Sequence, residues 1–321
     1  EVFELGQLSQ QENGSYALNR TPFYKFKNNI NSLSSLKDGN FIDIGTTKKL
    51  KKKYTGANIK IIDAAGAVVL PGFVDSHTHA VFGGNRTGEF VQRIQGKTYL
   101  EILKKGGGIV NTVEQTRKLK FKKLAETSRK YLDTMLLHGT TTVEIKSGYG
   151  LDINTELKIL KVIHHLQKTH SMDIVATFLG AHMIPPEYKN DPDTYIKLVC
   201  NVLPKVKSYA TFCDTFCDVG AFSIKQSERV LKTAKSLGFR LKIHTNEFED
   251  IGGVSLAIQL EAVSADHLDN IKHRDIVRLK ESNVICVLLP GVPFFLMKDT
   301  YAPAQKMIEN GLPIALATDF N

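Results

Sequence analysis

Short apolar runs alternate with longer amphipathic segments over most of this chain, and that alternation limits the possible folds more than any other feature. Eight runs are too short for helices and are interpreted as strands: 73–76, 140–145, 174–179, 215–219, 241–243, 262–265, 284–289 and 314–317. Seven segments between them have helical length and periodicity: 124–137, 155–167, 194–206, 227–237, 254–260, 274–281 and 304–310. Buried parallel strands are typically continuous apolar runs. Residues 68–321 are therefore predicted to form an α/β fold, a (β/α)8 TIM-like barrel.

Glycines and the chain end refine this prediction. Gly139, Gly238 and Gly311 follow helical segments, where a left-handed C-terminal cap is expected. An open doubly wound sheet shows the same alternation, but its dinucleotide-binding version needs a Gly-x-Gly-x-x-Gly after the first strand, which this sequence lacks.

Asn321 follows directly on the eighth strand. A complete barrel needs one more helix there, so we expect a C-terminal truncation that removes this helix and further C-terminal strands.

Residues 1–67 differ from the rest and predict a separate, small, β-rich unit. β-prone pieces at 41–44 and 58–62 lie among Asn, Gly and Ser clusters, and helical periodicity is weak.

Composition excludes several classes of protein. The net charge is +9, with lysine clusters at 48–53 and 118–123, but the clusters are short and carry few aromatic residues, so we expect solvated faces and no nucleic-acid partner. No run of about 18 apolar residues exists, so no membrane span is expected. The four cysteines form neither a Cys-x-x-Cys pair nor a disulfide framework, which indicates a reducing, cytoplasmic location.

Ionisable residues concentrate at the predicted carboxyl ends of the strands, where barrels carry their working residues. Five of the ten histidines fall there: His77, His79, His182, His244 and His267. Residues i and i+2 of a strand point the same way, so His77 and His79 converge and can bind a divalent metal. Alone, a His-x-His pair is more often part of a surface loop, and it is the other strand ends that indicate a catalytic centre.

Several motifs carry a family resemblance. Val-Asp-Ser-His-Thr-His at 74–79, histidines on the fifth and sixth strands and an aspartate on the eighth resemble the amidohydrolase superfamily. Within it, Gly-Gly-Asn-Arg at 83–86, Gly-Gly-Gly-Ile at 106–109, Lys-Ser-Gly-Tyr-Gly-Leu at 146–151, Leu-Gly-Ala-His at 179–182 and Ala-Thr-Asp-Phe-Asn at 317–321 are similar to the imidazolonepropionase family. The resemblance runs from about residue 70 to the last residue.

The resemblance implies one divalent metal ion, zinc or iron, bound by His77, His79, His244 and Asp319. Three neutral nitrogens and one carboxylate also suit such an ion chemically, and they leave a position for water. Lys146 belongs to the Ser-Gly-Tyr signature and is not an obvious bridge to a second metal, so a single ion is expected.

The implied reaction is hydrolysis of the ring amide of 4-imidazolone-5-propanoate to N-formimidoyl-L-glutamate by a metal-activated water. His267 and Asp319 are the expected catalytic residues, which would act on the attacking water and stabilise the tetrahedral oxyanion. Glu247 is expected to hold a ring N–H and to carry a proton, although a carboxylate at a helix start needs no such role. The small-molecule substrate has a carboxylate tail, for which Arg86 offers a matching fork.

The remaining expected substrate contacts come from the resemblance. Tyr99, Tyr149 and His182 each supply a hydrogen bond, and Asn321 reaches the ligand. Plainer interpretations are a salt bridge from Arg86 to Glu89 and a core position for Tyr99. The glycines at 106–108 lack the Lys-Ser/Thr of a phosphate-binding loop and predict a flexible segment over the pocket.

Two other functions compete with this one. Purine or cytosine aminohydrolases use a similar metal set and are disfavoured by the residues suited to a carboxylate tail. A non-catalytic barrel relative is expected to lose metal ligands, and all four candidates are present here. Members of the family are often dimers, so the resemblance also implies a homodimer.

Overall fold

The computed structural model describes residues 6–10, 16–20, 32–37, 40–56, 70–97, 101 and 107–321. The chain divides into two compact units, Glu1–Pro71 and Gly72–Asn321. The boundary predicted from the sequence lies at residues 67–68.

Within its described residues, the first unit contains two antiparallel strand pairs and one helix. β1 (Gly6–Gln10) pairs with β2 (Tyr16–Arg20), and β3 (Ser32–Lys37) pairs with β4 (Asn40–Thr46). The helix α1 (Thr47–Lys53) follows, and its first turn is capped by the Thr46 hydroxyl, which accepts from Lys49 N. Leu50 is buried while the lysines around it are exposed, so this lysine cluster is a solvated face. The β-prone stretch 58–62 lies outside the described residues.

The second unit is an eight-stranded parallel barrel, which confirms the predicted fold. Its strands are β5 (Phe73–Thr78), β6 (Thr140–Lys146), β7 (Asp173–Ala181), β8 (Phe212–Cys217), β9 (Arg240–Thr245), β10 (Ser264–His267), β11 (Ile285–Leu288) and β12 (Ile314–Leu316). Each strand pairs in parallel with the next in sequence. The first and last strands meet beyond the end of β12, where Thr78 and Phe320 form a parallel bridge.

Helices alternate with these strands. They are α2 (Thr87–Ile94), α3 (Ile109–Lys118), α4 (Phe121–Leu137), α5 (Ile153–Thr169), α6 (Pro192–Val206), α7 (Ile224–Ser236), α8 (Gly253–Leu260), α9 (His273–Lys280), α10 (Gly291–Phe295) and α11 (Ala304–Glu309), with a 3₁₀ turn at Pro186–Tyr188. Side-chain caps start three of them: Asp152 before α5, Asp191 before α6, and Ser223 in a capping box before α7. All the predicted helices are present, with ends that differ by at most three residues.

The predicted C-terminal glycines adopt the expected backbone. Gly139, Gly238 and Gly311 have φ of 95°, 79° and 77°, in the left-handed region that glycine reaches without a steric cost. Each ends a helix sharply and directs the chain toward the next strand. These three predictions are confirmed.

Two features differ from the sequence-based expectation. β8 begins at Phe212 and not at 215, because the strand includes a charged residue, Asp214, that interrupts the apolar run but is fully buried inside the barrel. α2 and α3 were not predicted, since α2 contains a glycine and many polar residues, and α3 follows glycines that favour an irregular segment. Gly108 in fact forms the N-cap of α3 with φ of 71°.

The amphipathic helices bury one face each against the barrel. In α5 the buried positions include Ile159, Leu160, Ile163 and Leu166, which repeat at the three- and four-residue spacing of a helix face. Burying one such side chain contributes about 1.5–3 kcal/mol. Among the helices of the described residues, none is both long and apolar enough to cross a membrane.

The junction of the first and last strands sets the position of the site. Asp319 N donates to His77 O at 3.0 Å, and His79 N donates to Phe320 O at 2.8 Å. These two bonds hold the end of β5 beside the residues after β12. Residues from opposite ends of the barrel sequence thereby lie next to each other at its carboxyl-terminal rim.

Candidate functional site

Two histidines at the end of β5 begin the site. His77 and His79 are 0% and 2% exposed, and their ring centroids are 5.5 Å apart. Asp319 Oδ1 lies 3.2 Å from His77 Nε2 and 3.3 Å from His79 Nε2. One carboxylate oxygen therefore faces both imidazoles.

The third predicted histidine ligand comes from β9. The His244 ring centroid is 4.4 Å from that of His77 and 5.9 Å from that of His79. Ligand atoms of His77, His79 and Asp319 all lie within 4.8 Å of one another, and the same limit holds for a group formed by His77, His244 and His267. The structure thus brings the four predicted metal ligands together.

The chemistry of this donor set suits a divalent metal. Ligands at 2.0–2.2 Å from a tetrahedral zinc lie about 3.3–3.5 Å apart, close to the His77–Asp319 and His79–Asp319 separations of 3.2 and 3.3 Å. The Nε2 atoms of His77 and His244 are buried and make no hydrogen bond within the described part of the chain. Buried nitrogens of this kind are rarely left without a partner, and a metal ion would satisfy both.

The histidines are held in the neutral form that a metal requires. Burial lowers the pKa of His77 well below its ordinary value, and the positive charge of Lys146 lowers it further. Burial and His244 do the same to the pKa of His79. Both imidazoles therefore keep a free nitrogen lone pair at neutral pH.

His267, predicted to be catalytic, stands at the end of β10. Its ring centroid is 5.4 Å from His77 and 5.3 Å from His244. Burial lowers its pKa to about 3, against the opposing effect of Asp319. His267 and Asp319 have φ of 80° and 55°, a left-handed backbone that costs non-glycine residues energy and that clusters at functional sites.

Glu247 lies on the loop after β9 and faces the same centre. Its Oε2 is 3.6 Å from His267 Nδ1, and burial together with the charge of Asp319 raises its pKa to about 8. The next helix begins only at Gly253, so Glu247 is not placed by a helix dipole. Instead Asp218 accepts hydrogen bonds from the backbone N–H groups of residues 247, 248 and 249 at 2.7, 3.1 and 3.0 Å. Asp218 was not among the residues predicted from the sequence, because its role depends on the conformation of a loop.

Two more buried carboxylates, which were also not predicted, lie behind the histidines. Asp266 Oδ2 is 2.6 Å from His77 Nδ1. Asp214 Oδ2 is 3.0 Å from His244 Nδ1, a short contact without a well-aligned hydrogen bond. Carboxylates at the remote nitrogen of a histidine ligand fix its tautomer and orientation. For Asp214 the available sequence signal was a charged residue within a mostly apolar strand, whereas Asp266 lies between Ala265 and His267 in a strand of mixed character.

Arg86 and Asn321 lie together near the rim. The Arg86 guanidinium donates to Asn321 Oδ1 at 3.3 Å and to Glu89 Oε2 at 3.0 Å, and its charge acts on Asp319. The plainer interpretation, a salt bridge to Glu89, is therefore present alongside the contact with Asn321. Glu89 also accepts from Gly108 N at 2.7 Å, which ties α2 to the start of α3.

Tyr149 and His182 line the other side of the histidine pair. The His182 ring stacks on His79 with centroids 4.8 Å apart, and the Tyr149 ring is 5.3 Å from His79. His182 Nδ1 donates to Gly148 O at 3.1 Å, and burial lowers the pKa of this imidazole well below its ordinary value. Tyr99 and Gly106 lie outside the described residues.

Comparisons with known proteins identify the family of this chain. The family described as "Amidohydrolase family" matches residues 68–321. An imidazolonepropionase of Clostridium tetani is 47% identical over 306 residues, which cover 93% of this chain and 73% of that protein. Another imidazolonepropionase, from Alkaliphilus oremlandii, is 48% identical over 87% of this chain and 67% of its own length.

Solved structures share the fold at much lower identity. A 5-methylcytosine deaminase from Klebsiella pneumoniae, liganded with 5-fluorocytosine, aligns with a TM-score of 0.66 at 14% identity over 90% of this chain and 71% of that one. Guanine deaminase of E. coli aligns with a TM-score of 0.64 at 18% identity over 90% and 67%. At such identities the likeness concerns the fold alone.

Proposed function

This chain belongs to the amidohydrolase family and, within it, to the imidazolonepropionases, and we propose that it opens the ring of 4-imidazolone-5-propanoate in histidine degradation. The chain is a hydrolytic enzyme that acts on a small molecule. Water adds to the ring carbonyl carbon, the carbon–nitrogen bond breaks, and the departing nitrogen takes a proton, which gives N-formimidoyl-L-glutamate. A deamination would give different products, because an amino group attached to the ring would leave as ammonia and the ring would stay closed.

The clustering of four side chains supports this proposal: His77, His79 and Asp319 form one candidate metal group, and the His244 ring lies 4.4 Å from that of His77. These four residues would hold a single divalent ion, zinc or iron. When bound, the ion supplies Lewis acidity, which brings the pKa of a water from near 16 to about 7. The protein contributes the orientation and the neutral state of the imidazoles.

Asp319 would accept a proton from the attacking water, and His267 would stabilise the oxyanion that forms. The Asp319 carboxylate stands beside His77 and His79 and can accept a proton from a water held there. His267 is neutral and buried next to it. A neutral imidazole N–H donates to a developing oxyanion without leaving an unpaired charge in the site.

Glu247 would supply the proton for the leaving nitrogen. Its carboxyl is buried, and burial raises its pKa and so favours the protonated form, which can donate to the ring nitrogen as the carbon–nitrogen bond breaks. The three backbone N–H groups bound by Asp218 keep Glu247 in place on its loop.

The propionate arm would lie toward Arg86, whose fork-shaped guanidinium matches a carboxylate. Asn321 and Tyr149 would add single hydrogen bonds, as would Tyr99. His182 is suited to a different part of the ligand. Its Nδ1–H already donates to Gly148 O, so the neutral ring presents an acceptor at Nε2 and suits an N–H of the substrate ring better than a carboxylate.

An assay on three substrates tests the proposal. Purified protein loaded with zinc or iron is offered 4-imidazolone-5-propanoate, guanine and cytosine, with His244→Ala as the variant lacking a ligand. We expect turnover of the first substrate alone, with N-formimidoyl-L-glutamate as the product. Turnover of guanine or cytosine only would indicate an aminohydrolase instead. A loaded protein that turns over none of the three would support a non-catalytic barrel.

A further inference from the structure

A network of five buried charges fills the barrel directly beneath the histidines. Its members are 0–6% exposed and come from four strands: Glu144, Lys146, Asp214, Lys242 and Asp266. Isolated charges are costly to bury, so such groups persist only when paired and hydrogen-bonded. The function proposed above uses none of the five directly.

Lys146 is the centre of this network. Its ammonium lies 2.8 Å from Asp214 Oδ2, 3.0 Å from Glu144 Oε1 and 3.4 Å from Asp266 Oδ2. Asp214 and Asp266 are the two carboxylates that face the Nδ1 atoms of His244 and His77. One fully buried cation therefore contacts both carboxylates that orient histidine ligands.

The two carboxylates depend on Lys146 to different degrees. Asp266 also accepts from Ser264 Oγ at 2.5 Å and lies 3.5 Å from Lys242. Asp214 contacts no second lysine or arginine within the described part of the chain, and its Oδ1 there makes no hydrogen bond. Removing the Lys146 charge should thus free Asp214 while leaving Asp266 with other partners.

We propose that Lys146 is a positioning residue that holds Asp214 as the acceptor for His244 Nδ1–H and shares Asp266 with Lys242. In this arrangement both histidines carry their proton on Nδ1, and the Nε2 lone pairs are directed to the place of the metal. The inference rests on the proposed metal ligands but not on the identity of the substrate.

Lys242 provides a matched comparison. It is also a buried lysine of the network, with contacts to Glu144 at 3.0 Å, to Ser76 O at 2.9 Å and to Asp266 at 3.5 Å. No contact joins it to Asp214 among the described residues. Lys146→Met should therefore disturb His244 most, whereas Lys242→Met should leave His244 unchanged.

The imidazole tautomers can be measured without a metal. Long-range ¹⁵N–¹H spectra of the metal-free protein distinguish Nδ1–H from Nε2–H, and His244→Gln and His77→Gln assign the two rings. We expect Nδ1–H for both histidines in the unaltered protein, and a mixture or Nε2–H for His244 in Lys146→Met. If His244 keeps the Nδ1–H form in Lys146→Met, the proposal is wrong. The spectra do not depend on turnover, so they separate this inference from the proposed function.

Zinc affinity, measured by competition with a chelator, is the second readout. Changes behind a metal ligand typically weaken affinity about 10- to 100-fold. We expect a loss of that size in Lys146→Met and a smaller one in Lys242→Met. Equal losses in the two variants would overturn the special role of Lys146.

A double variant keeps the test valid if Lys146→Met alone does not fold. Lys146→Met with Asp214→Asn removes both charges of the closest pair and so avoids an unpaired buried carboxylate at that position. Because Lys146 acts mainly through Asp214, the double variant should bind zinc within roughly threefold of Asp214→Asn alone. A further tenfold loss in the double variant would show that Lys146 acts by another route.

Discussion

Glu156 holds the loop that carries Tyr149 through hydrogen bonds, and we expect its replacement by glutamine to lower the stability of the protein. The carboxylate lies at the start of α5, where it is 3% exposed. Oε1 accepts from Gly150 N at 2.7 Å and from Leu151 N at 3.0 Å, and Oε2 accepts from Gly148 N at 3.0 Å. Three backbone N–H groups of the Ser-Gly-Tyr-Gly-Leu motif thus share one side chain.

The expected cost follows from counting donors. Glutamine has one oxygen, which can keep the bonds to Gly150 and Leu151, but its NH₂ group then faces Gly148 N–H, and two donors cannot pair. One buried N–H left without a partner costs about 1–3 kcal/mol of unfolding free energy. At roughly 2–4 °C per kcal/mol for a domain of this size, the melting temperature should fall by about 2–12 °C.

Glu156→Gln should also alter the substrate site. Gly148 O accepts from His182 Nδ1 at 3.1 Å, so a shift of Gly148 moves both His182 and Tyr149. Thermal unfolding and steady-state kinetics measure the two effects, with the exposed Glu126→Gln as the control. A Glu156→Gln variant that matches Glu126→Gln in both stability and KM would refute the proposed role of this carboxylate.

Three further predictions concern the site itself. His244→Ala should lose bound metal and activity while the far-ultraviolet circular dichroism stays unchanged, and the exposed His165→Ala should lose neither. Arg86→Ala should raise KM more than it lowers kcat, because the guanidinium is expected to bind the substrate tail throughout the reaction; a kcat loss with unchanged KM would contradict this. Glu247 has a pKa of about 8 in the folded state against 4.5 ordinarily. Between these pH values the folded metal-free protein keeps a proton that the unfolded chain releases, so its stability should fall as the pH rises. Denaturant titrations at several pH values should show a smaller fall in Glu247→Gln, and an identical pH dependence would exclude this assignment.

The barrel could be predicted from the sequence because its two main signals are local. Continuous apolar runs mark buried parallel strands, and the three- and four-residue spacing of α5 marks a helix face. His77 and His79 could be paired for the same reason, since a two-residue spacing on a strand suffices. The direct hydrogen bond between the backbones of His77 and Asp319 depends on the bridge between the first and last strands, which only the fold as a whole provides.

The residues that support the site could not be paired from sequence. Lys146 and Asp214 lie 68 positions apart, and His77 and Asp266 lie 189 apart. Nothing in the sequence around any of these charges indicates which partner it meets inside the barrel. Asp218 and Glu156 act through backbone N–H groups of loops, whose conformation has no periodic signal. The roles of Tyr99 and the homodimer stay predictions.

Anomalous scattering from crystals at the zinc and iron absorption edges tests the central claim most directly. We predict one peak, at either edge, within about 2.0–2.3 Å of the coordinating atoms of His77, His79, His244 and Asp319. The edge at which the peak appears also identifies the metal. Two peaks, or a single peak bound by other residues, would contradict the account of a mononuclear centre at the rim of this barrel.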